Sequence, residues 1–305
     1  MRNAFADEVT QLAKVDPRVM LLSGDIGNKL FDSFKKVDSE RFLNCGIAEG
    51  NMMSVAAGLA LNGLRPVVYT ITPFTTTRCF EQIRVDVCYH EAPVIIVGTG
   101  SGLSYAELGP THHSLEDLAI MRSLPGMQVI APCDATEMRL ALRAALDSSK
   151  PTYIRIGKKG EPAIHDTDIS YKIGKAITIR KGSDILILAS GTIMPNVLDA
   201  AESLKNKGLS SQVASFHTIK PLDIDYLKQN LDSFKAIVTI EEHGKSGGLG
   251  GAIAEYLSTL SSHPKHLRLG TEDEFMHEMG DQLYAQKKYG LDIIGIATQI
   301  KLFIE

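Results

Sequence analysis

Apolar residues in the first half of the chain fall into short runs that alternate with longer amphipathic segments. Short runs rich in β-branched residues are typical of buried strands, and the amphipathic segments between them are typical of helices. The pattern covers residues 19–22, 49–61, 67–69, 79–89, 94–97, 115–121, 129–130, 135–146 and 152–156. Alternation of this kind predicts a parallel sheet with helices on both faces, which is the doubly wound α/β arrangement.

A second series with the same pattern follows a polar stretch. That stretch contains Gly157, Gly160, Pro162 and Asp166 and has neither helical nor strand periodicity. The second series begins near Ile177 and covers residues 185–189, 195–205, 212–215, 225–229, 237–240 and 250–257, with a terminal helix after residue 289. We therefore predict two doubly wound domains, at residues 1–160 and 176–305, joined by a linker at 161–175.

Composition excludes several classes of function. The 305 residues are 44% hydrophobic and 22% charged, which is ordinary for globular domains of this size. The 32 basic and 36 acidic residues leave a net charge of −4 without a basic stripe, so we expect no nucleic-acid partner. The apolar runs are far shorter than the roughly 20 residues that cross a bilayer, so we expect no membrane segment.

The four cysteines have no CxxC spacing, and no secretory leader is evident in the sequence. This pattern indicates reduced thiols in a cytoplasmic protein and gives no metal site of the zinc type. We expect no metal ligands from this chain.

The segment Cys45-Gly46-Ile47-Ala48-Glu49 places a carboxylate at the start of an almost entirely apolar helix. An acidic residue in a first helical turn is by itself ordinary capping. The segment nevertheless resembles the pyrimidine-domain signature of thiamine-diphosphate enzymes. The resemblance implies that Glu49 is catalytic and binds the aminopyrimidine ring of thiamine diphosphate, promoting formation of the reactive ylid. Burial of the carboxyl would favour sharing a proton with that ring.

The segment Gly109-Pro110-Thr111-His112 resembles the Gly-Pro-Thr-His block of transketolases. Taken alone, it is a Gly-Pro turn that leads into a helix and leaves its histidines in solvent. The resemblance implies that His112 is catalytic and binds substrate, because a histidine there can donate a hydrogen bond or move a proton near neutral pH.

Three weaker matches agree with this family. Asp25 follows a strand where transketolases keep an aspartate near the cofactor, although turn chemistry also explains it. Phe74 and Arg78 lie in a segment that resembles the helix whose aromatic residue stacks on the aminopyrimidine, so both are predicted to bind the cofactor. Arg155 ends a strand whose arginine binds a sugar phosphate in transketolases, with a structural surface arginine as the alternative.

Two blocks in the second half resemble the transketolase C-terminal domain, at residues 216–223 and 241–251. The glycine cluster of the second block fits neither dinucleotide nor phosphate-loop spacing. We expect it to serve close packing, with His217 and His243 structural rather than catalytic.

A full-length transketolase is about twice this size and binds Mg²⁺ and the cofactor diphosphate through a Gly-Asp-Gly motif. The segment Gly24-Asp25-Ile26-Gly27 does not match that motif. The resemblance therefore implies a separate N-terminal, diphosphate-binding transketolase subunit that supplies these ligands. The predicted assembly is an α2β2 heterotetramer in which this chain also forms a dimer.

Two positions depart from the family pattern where substrate would bind. Leu108 stands where transketolases have an aspartate, and Gly100 stands where they have a histidine that faces the donor. The loss of both polar groups predicts a wider, less polar pocket and a deoxy or otherwise modified sugar as substrate.

Three alternatives to a split transketolase remain open from the sequence. One is the beta subunit of a 2-oxo-acid dehydrogenase, and another is an acyloin-forming enzyme similar to deoxyxylulose-phosphate synthase. The third, from a different class, is a non-catalytic regulatory subunit. Arg155 and the segment that ends at His112 favour the transketolase, and the presence of Glu49 and Phe74 favours activity.

Overall fold

The computed structural model describes residues 1–27, 29–165 and 168–305. Asn28, and Asp166 and Thr167 in the predicted linker, lie outside this part. The elements of the first half, in chain order, are α1 Arg2–Val15, β1 Val19–Ser23, α2 Asp32–Val37, β2 Phe42–Asn44, α3 Glu49–Leu61, β3 Arg65–Ile71, α4 Thr72–Thr75, α5 Phe80–Gln82, β4 Ile95–Thr99, α6 Asp117–Ser123, β5 Gln128–Ile130, α7 Ala135–Asp147 and β6 Thr152–Ile156. Helix α5 continues as a π-helical segment, Ile83–Tyr89.

The elements of the second half are β7 Ile177–Arg180, β8 Ile185–Ser190, α8 Met194–Lys205, β9 Ser211–Ser215, β10 Thr218–Lys220, α9 Ile224–Asn230, β11 Ala236–Gly244, α10 Leu249–Leu257, β12 Lys265–Thr271, α11 Gln282–Lys288 and α12 Ile293–Ile304. Short 3₁₀ segments, among them Ala106–Leu108, connect some of these elements.

The first sheet has seven strands in the order β10-β5-β6-β4-β3-β1-β2, and all neighbours except β10 and β5 run parallel. Successive side chains of a strand point to opposite faces. Val19 and Leu21 of β1 accordingly pack with α1 and α7, while Met20 and Leu22 pack with α3. Both faces are covered by helices, and the predicted doubly wound α/β fold is confirmed.

The second sheet has five strands in the order β12-β11-β8-β9-β7. Strand β7 is antiparallel to β9, and the other pairs are parallel. Its strands also alternate between two cores: Ile187 packs on one side and Leu188 on the other. The second half is therefore doubly wound as well.

Strand β10 was not expected, because it belongs to the second half of the chain but joins the first sheet. It pairs antiparallel with β5, with Thr218 opposite Ile130. Leu188 and Phe216 also share one continuous apolar core with Leu22 and Met53 of the first half. The domain division at residues 160 and 176 stays a prediction, and the two halves are in close contact.

Membrane insertion through a helix has no support in this fold. Across residues 1–27, 29–165 and 168–305, none of the helices combines the length and the apolar character that crossing a bilayer requires.

Candidate active site

The predicted site residues follow neighbouring strands of the first sheet. Asp25 comes after β1, Phe74 lies in α4 directly after β3, and His112 lies in the loop after β4. Because β1, β3 and β4 are adjacent and parallel, their carboxyl ends meet at one edge of the sheet. That edge is where doubly wound folds bind ligands.

Glu49 is the first residue of α3, and only 5% of its side chain is exposed. Its Oε1 accepts a hydrogen bond of 3.1 Å from Nη1 of Arg78, whose side chain is 45% exposed. The helix N-terminus and the guanidinium both stabilise a negative charge at this position. A buried carboxylate is thus paired with a cation that solvent can reach.

Phe74 lies between Arg78 and His112. The Arg78 guanidinium stacks 3.9 Å from the centroid of the Phe74 ring. The imidazole of His112 meets the same ring edge-on, with centroids 5.4 Å apart and planes at 67°. We call Glu49, Phe74, Arg78 and His112 the Glu49 cluster.

His112 is half-buried, and its Nδ1 lies 2.9 Å from Oγ1 of Thr111. Burial lowers the pKa of the imidazole below its ordinary value, and the neighbouring His113 and Arg78 lower it further. The lowered pKa favours the neutral form of the ring at pH 7. A neutral imidazole has one donor and one acceptor nitrogen, so it can either donate or accept at a substrate hydroxyl.

Asp25 is exposed and lies beside the segment that leads to Glu49. Its Oδ1 accepts a hydrogen bond of 3.1 Å from Nδ2 of Asn44, and its N–H donates to the carbonyl of Gly46 at 3.1 Å. Asp25 therefore helps fix the Gly46 turn, and its predicted contact with the cofactor stays a prediction.

Arg155 lies in the interior, with 5% of its side chain exposed. Its Nη2 donates to the carbonyls of Ser114, at 2.9 Å, and Glu242, and its Nε lies 3.3 Å from Oδ2 of Asp117. From the sequence, the carboxyl end of β6 is expected to be an open edge that binds ligands. These bonds direct the guanidinium to protein acceptors, so the predicted sugar-phosphate contact has no support from the geometry.

Leu108 and Gly100 have different surroundings from those expected. Leu108 is 49% exposed at the end of the Ala106–Leu108 segment. A Cβ added to Gly100 would lie 2.1 Å from Cε2 of Tyr105. The Tyr105 ring thus fills the space that a side chain at position 100 would take, and the expectation of a wider pocket is not supported there.

Tyr105 lies next to His112 and Lys158 lies next to Tyr105, and neither was among the predicted site residues. The Tyr105 ring faces His112 at a centroid distance of 6.0 Å, and Nζ of Lys158 lies 4.7 Å from the Tyr105 centroid. Lys158 also forms an ion pair with Glu107. A flexible lysine in a Gly-Lys-Lys-Gly stretch looks like part of a linker, so its local pattern carries no signal of a site.

A cavity of about 320 Å³ adjoins the Glu49 cluster. Pro73 and Thr77 line it on one side, and Pro110 and His113 line it on the other. The cavity therefore lies between the α4 turn and the loop that carries His112.

The residues of the Glu49 cluster fit the aminopyrimidine half of thiamine diphosphate. A buried carboxylate can share a proton with a ring nitrogen, and an aromatic face can cover a flat heteroaromatic ring. The fit does not extend to the diphosphate and its metal. Within the described residues, the one group of three or more converging metal-ligand side chains is Cys133, Glu137 and His165, whereas Mg²⁺ prefers oxygen ligands.

Comparison with known proteins agrees with this site. Residues 1–161 match the model of the transketolase pyrimidine binding domain, and residues 174–294 match that of the transketolase C-terminal domain. An apulose-4-phosphate transketolase subunit from Phocaeicola vulgatus is 34% identical over 100% of this chain and 97% of its own length. The 6-deoxy-6-sulfo-D-fructose transketolase subunit SqwH from a Clostridium species is 34% identical, over 95% of this chain and 90% of its own.

A solved structure described as a split gene transketolase, an inactive beta4 tetramer, superposes with a TM-score of 0.90 at 34% identity. The match covers 99% of this chain and 97% of that one. The chain belongs to the transketolase family. Within that family it carries the pyrimidine-binding and C-terminal domains, the section that a separate subunit forms in the split-gene relatives.

Proposed function

We propose that this chain is the C-terminal subunit of a two-chain transketolase that transfers a two-carbon ketol unit from a ketose donor to an aldose acceptor. The observation that carries the proposal is the Glu49 cluster, which places a buried carboxylate, an aromatic face and a histidine together at one sheet edge. Its relatives of matching length are named as transketolase subunits, which favours this function over the 2-oxo-acid dehydrogenase and synthase alternatives.

Thiamine diphosphate, when bound, would supply the carbanion-stabilising chemistry of the transfer. Glu49 would hold the pyrimidine ring through a shared proton, and Phe74 would cover one ring face. Arg78 now pairs with Glu49 and covers Phe74, so its side chain must move for a ring to stack there. Its exposure allows that movement. Asp25, beside the Gly46 turn, is the further cofactor contact in this proposal.

Substrate would lie between His112, Tyr105 and Leu108. His112 would exchange a hydrogen bond or a proton with a sugar hydroxyl. Lys158 would bind an anionic end of the sugar, taking the role that the family resemblance implies for Arg155. The names of the two relatives specify a phosphate-bearing and a sulfo-bearing sugar. Both groups are anions that a lysine binds as a point charge.

The Mg²⁺ and diphosphate ligands would come from an N-terminal diphosphate-binding subunit. This chain and that partner would form an α2β2 assembly in the cytoplasm. Two domains, at 1–160 and 176–305, would then place the cofactor between the first domain and the partner.

The test is a cofactor titration on the purified chain, with and without the product of the neighbouring gene, followed by a transfer assay with ketose phosphates. We expect negligible affinity for the chain alone, and micromolar affinity with turnover for the pair. Micromolar binding by the chain alone would contradict the split enzyme. Assembly and cofactor binding without turnover would favour the regulatory alternative, and turnover of a 2-oxo acid would favour the dehydrogenase.

A further inference from the structure

The loop that carries His112 belongs to the first half of the chain but packs into the core of the second half. We call residues 100–116, between β4 and α6, the His112 loop. Leu103 and Ala106 of this loop are fully buried in the same apolar cluster as Ile187 and Val238 of the second sheet. Helix α11 also contacts the Ala106–Leu108 segment.

The base of the His112 loop is closed at Gly102 and Ser114. The N–H of Ser114 donates to the carbonyl of Gly102 at 3.0 Å, which brings the two legs of the loop together. Arg155 holds the Ser114 leg through its carbonyl. The orientation of His112 therefore depends on what fixes this base.

Glu242 of β11 holds the other leg. Its Oε2 accepts a hydrogen bond of 3.2 Å from the N–H of Leu103. Gly102 is pressed so closely against this residue that an added Cβ would lie 2.5 Å from the Cβ of Glu242. The same carboxylate accepts from the side-chain amides of Gln282, at 2.9 Å to Oε1, and Gln286 on α11.

The carboxylate of Glu242 is buried, and each of these partners is a donor. An ionised carboxylate offers only acceptors, so one residue can satisfy the loop and α11 at once. The carbonyl of Glu242 also accepts from Arg155, which links the two legs of the loop.

We propose that Glu242 is a positioning residue that fixes the His112 loop, so that the C-terminal domain sets the orientation of a histidine borne by the first domain. Glu242 acts through the backbone of Leu103. Its effect on catalysis rests on the proposed function, whereas its effect on the loop does not.

The neighbouring residue provides a matched control. Glu241 is on the same strand and is also buried, but it accepts from the N–H groups of Leu249 and Gly250, each at 2.7 Å. It therefore caps α10 and makes no such bond to the His112 loop. Methionine at either position keeps much of the side-chain volume and removes the acceptor.

The experiment measures amide hydrogen exchange by mass spectrometry on the full chain. We expect Glu242→Met to raise exchange in peptides covering Leu103 roughly tenfold, the factor for one lost hydrogen bond. Glu242→Gln should recover part of the protection, since its amide oxygen can still accept from Leu103. Glu241→Met should raise exchange at the start of α10 and leave the loop unchanged.

Unchanged loop exchange in Glu242→Met, or an equal rise in Glu241→Met, would overturn the proposal. If Glu242→Met does not fold, Glu242→Gln replaces it, with Glu241→Gln as the control. Glu242→Gln should then still raise exchange in the His112 loop above wild type, and Glu241→Gln should leave it unchanged. In the assembled enzyme, Glu242→Met should lower kcat while proton exchange at the cofactor, which depends on Glu49, stays at the wild-type rate. A wild-type assembly without turnover would contradict the proposed function and leave the exchange result to decide the positioning role.

Discussion

Glu137 and Glu49 each lie near the start of a helix, Glu137 beside a histidine and Glu49 beside an arginine. The two sites differ in what surrounds the carboxylate. Glu137, in the first turn of α7, accepts from the N–H of Cys133 at 2.8 Å and lies 2.8 Å from Nε2 of His165. Cys133 and Glu137 are buried, and His165 is partly buried. Glu49 is also buried, with 5% of its side chain exposed, but its partner Arg78 is 45% exposed.

The contrast separates a structural carboxylate from one that can exchange partners. Asp134 caps α7 by accepting from the N–H of Glu137, while the Glu137 side chain accepts from the N–H of Cys133. Asp134 also accepts from the N–H groups of Ile164 and His165. These bonds attach the linker to the first domain. Arg78 is 45% exposed, so water can solvate its guanidinium when it leaves Glu49. The buried carboxylate then needs a new partner, which a bound pyrimidine ring would supply.

The largest expected effect is on turnover in Glu49→Gln. The amide cannot exchange a proton with a bound pyrimidine ring, so we expect turnover to fall about 100-fold or more while the assembly persists. Steady-state kinetics with the partner subunit, and NMR of proton exchange at the thiazolium carbon, measure it. Unchanged proton exchange would show that the carboxylate of Glu49 is structural, as that of Glu137 is.

The counterpart variant, Glu137→Ala, should affect stability instead. It leaves the Cys133 N–H without its acceptor and removes the bond to His165, which should lower the free energy of unfolding by about 1 to 3 kcal/mol. Urea denaturation measures this, with thiazolium proton exchange as the control. A loss of proton exchange without a loss of stability would contradict the division between the clusters.

The stabilisation by Glu137 also has a defined pH dependence. Burial raises the pKa of this carboxyl, but His165, the nearby His217 and the Cys133 N–H together hold it below the ordinary value of 4.5. A folded-state pKa below the unfolded one gives stability that is fully present above about pH 4.5 and lost as the pH falls through the folded value. Denaturation of wild type and Glu137→Ala should therefore converge in acid.

A moderate effect is expected for Lys158, a partly exposed cation like Arg78. Lys158→Met should lower kcat/KM for a phosphorylated sugar roughly tenfold, the factor for one lost charge-assisted hydrogen bond. The neighbouring Lys159 is exposed and provides the control as Lys159→Met. An equal loss in both variants would indicate a general charge effect.

The smallest effect is on the titration of His112 in Arg78→Met. Removal of the guanidinium takes away one of the causes that lower the pKa of His112, so this pKa should rise. NMR titration of the imidazole in the isolated chain measures it. A lower pKa in the variant would show that the charge of Arg78 does not lower the pKa of His112.

The sequence predicted the helices and strands whose bounds depend on nearby residues. The start of α3 at Glu49 and the bounds of β6 agree with the structure because an apolar run and its flanking residues determine them. The members of the Glu49 cluster follow β2, β3 and β4, whose carboxyl ends lie at one edge of the first sheet. The parallel topology accounts for their proximity, and their roles stay predictions.

The features that the sequence did not predict depend on contacts between distant parts of the chain. The burial of Arg155 could not be predicted, because its acceptors on Ser114, Asp117 and Glu242 lie far from it in sequence. Tyr105 fills the space over Gly100 only because the loop folds back at positive φ. Strand β10, with three residues, is too short for a periodic pattern to predict.

Strand β10 has a consequence for how the chain can be divided. It covers the outer edge of β5, where the first sheet would otherwise expose unpaired N–H and C=O groups. A fragment ending at the linker would therefore present a bare strand edge, which is a template for intermolecular pairing. Recombinant production of the two halves as separate polypeptides should give an N-terminal piece that precipitates unless the other piece is made with it.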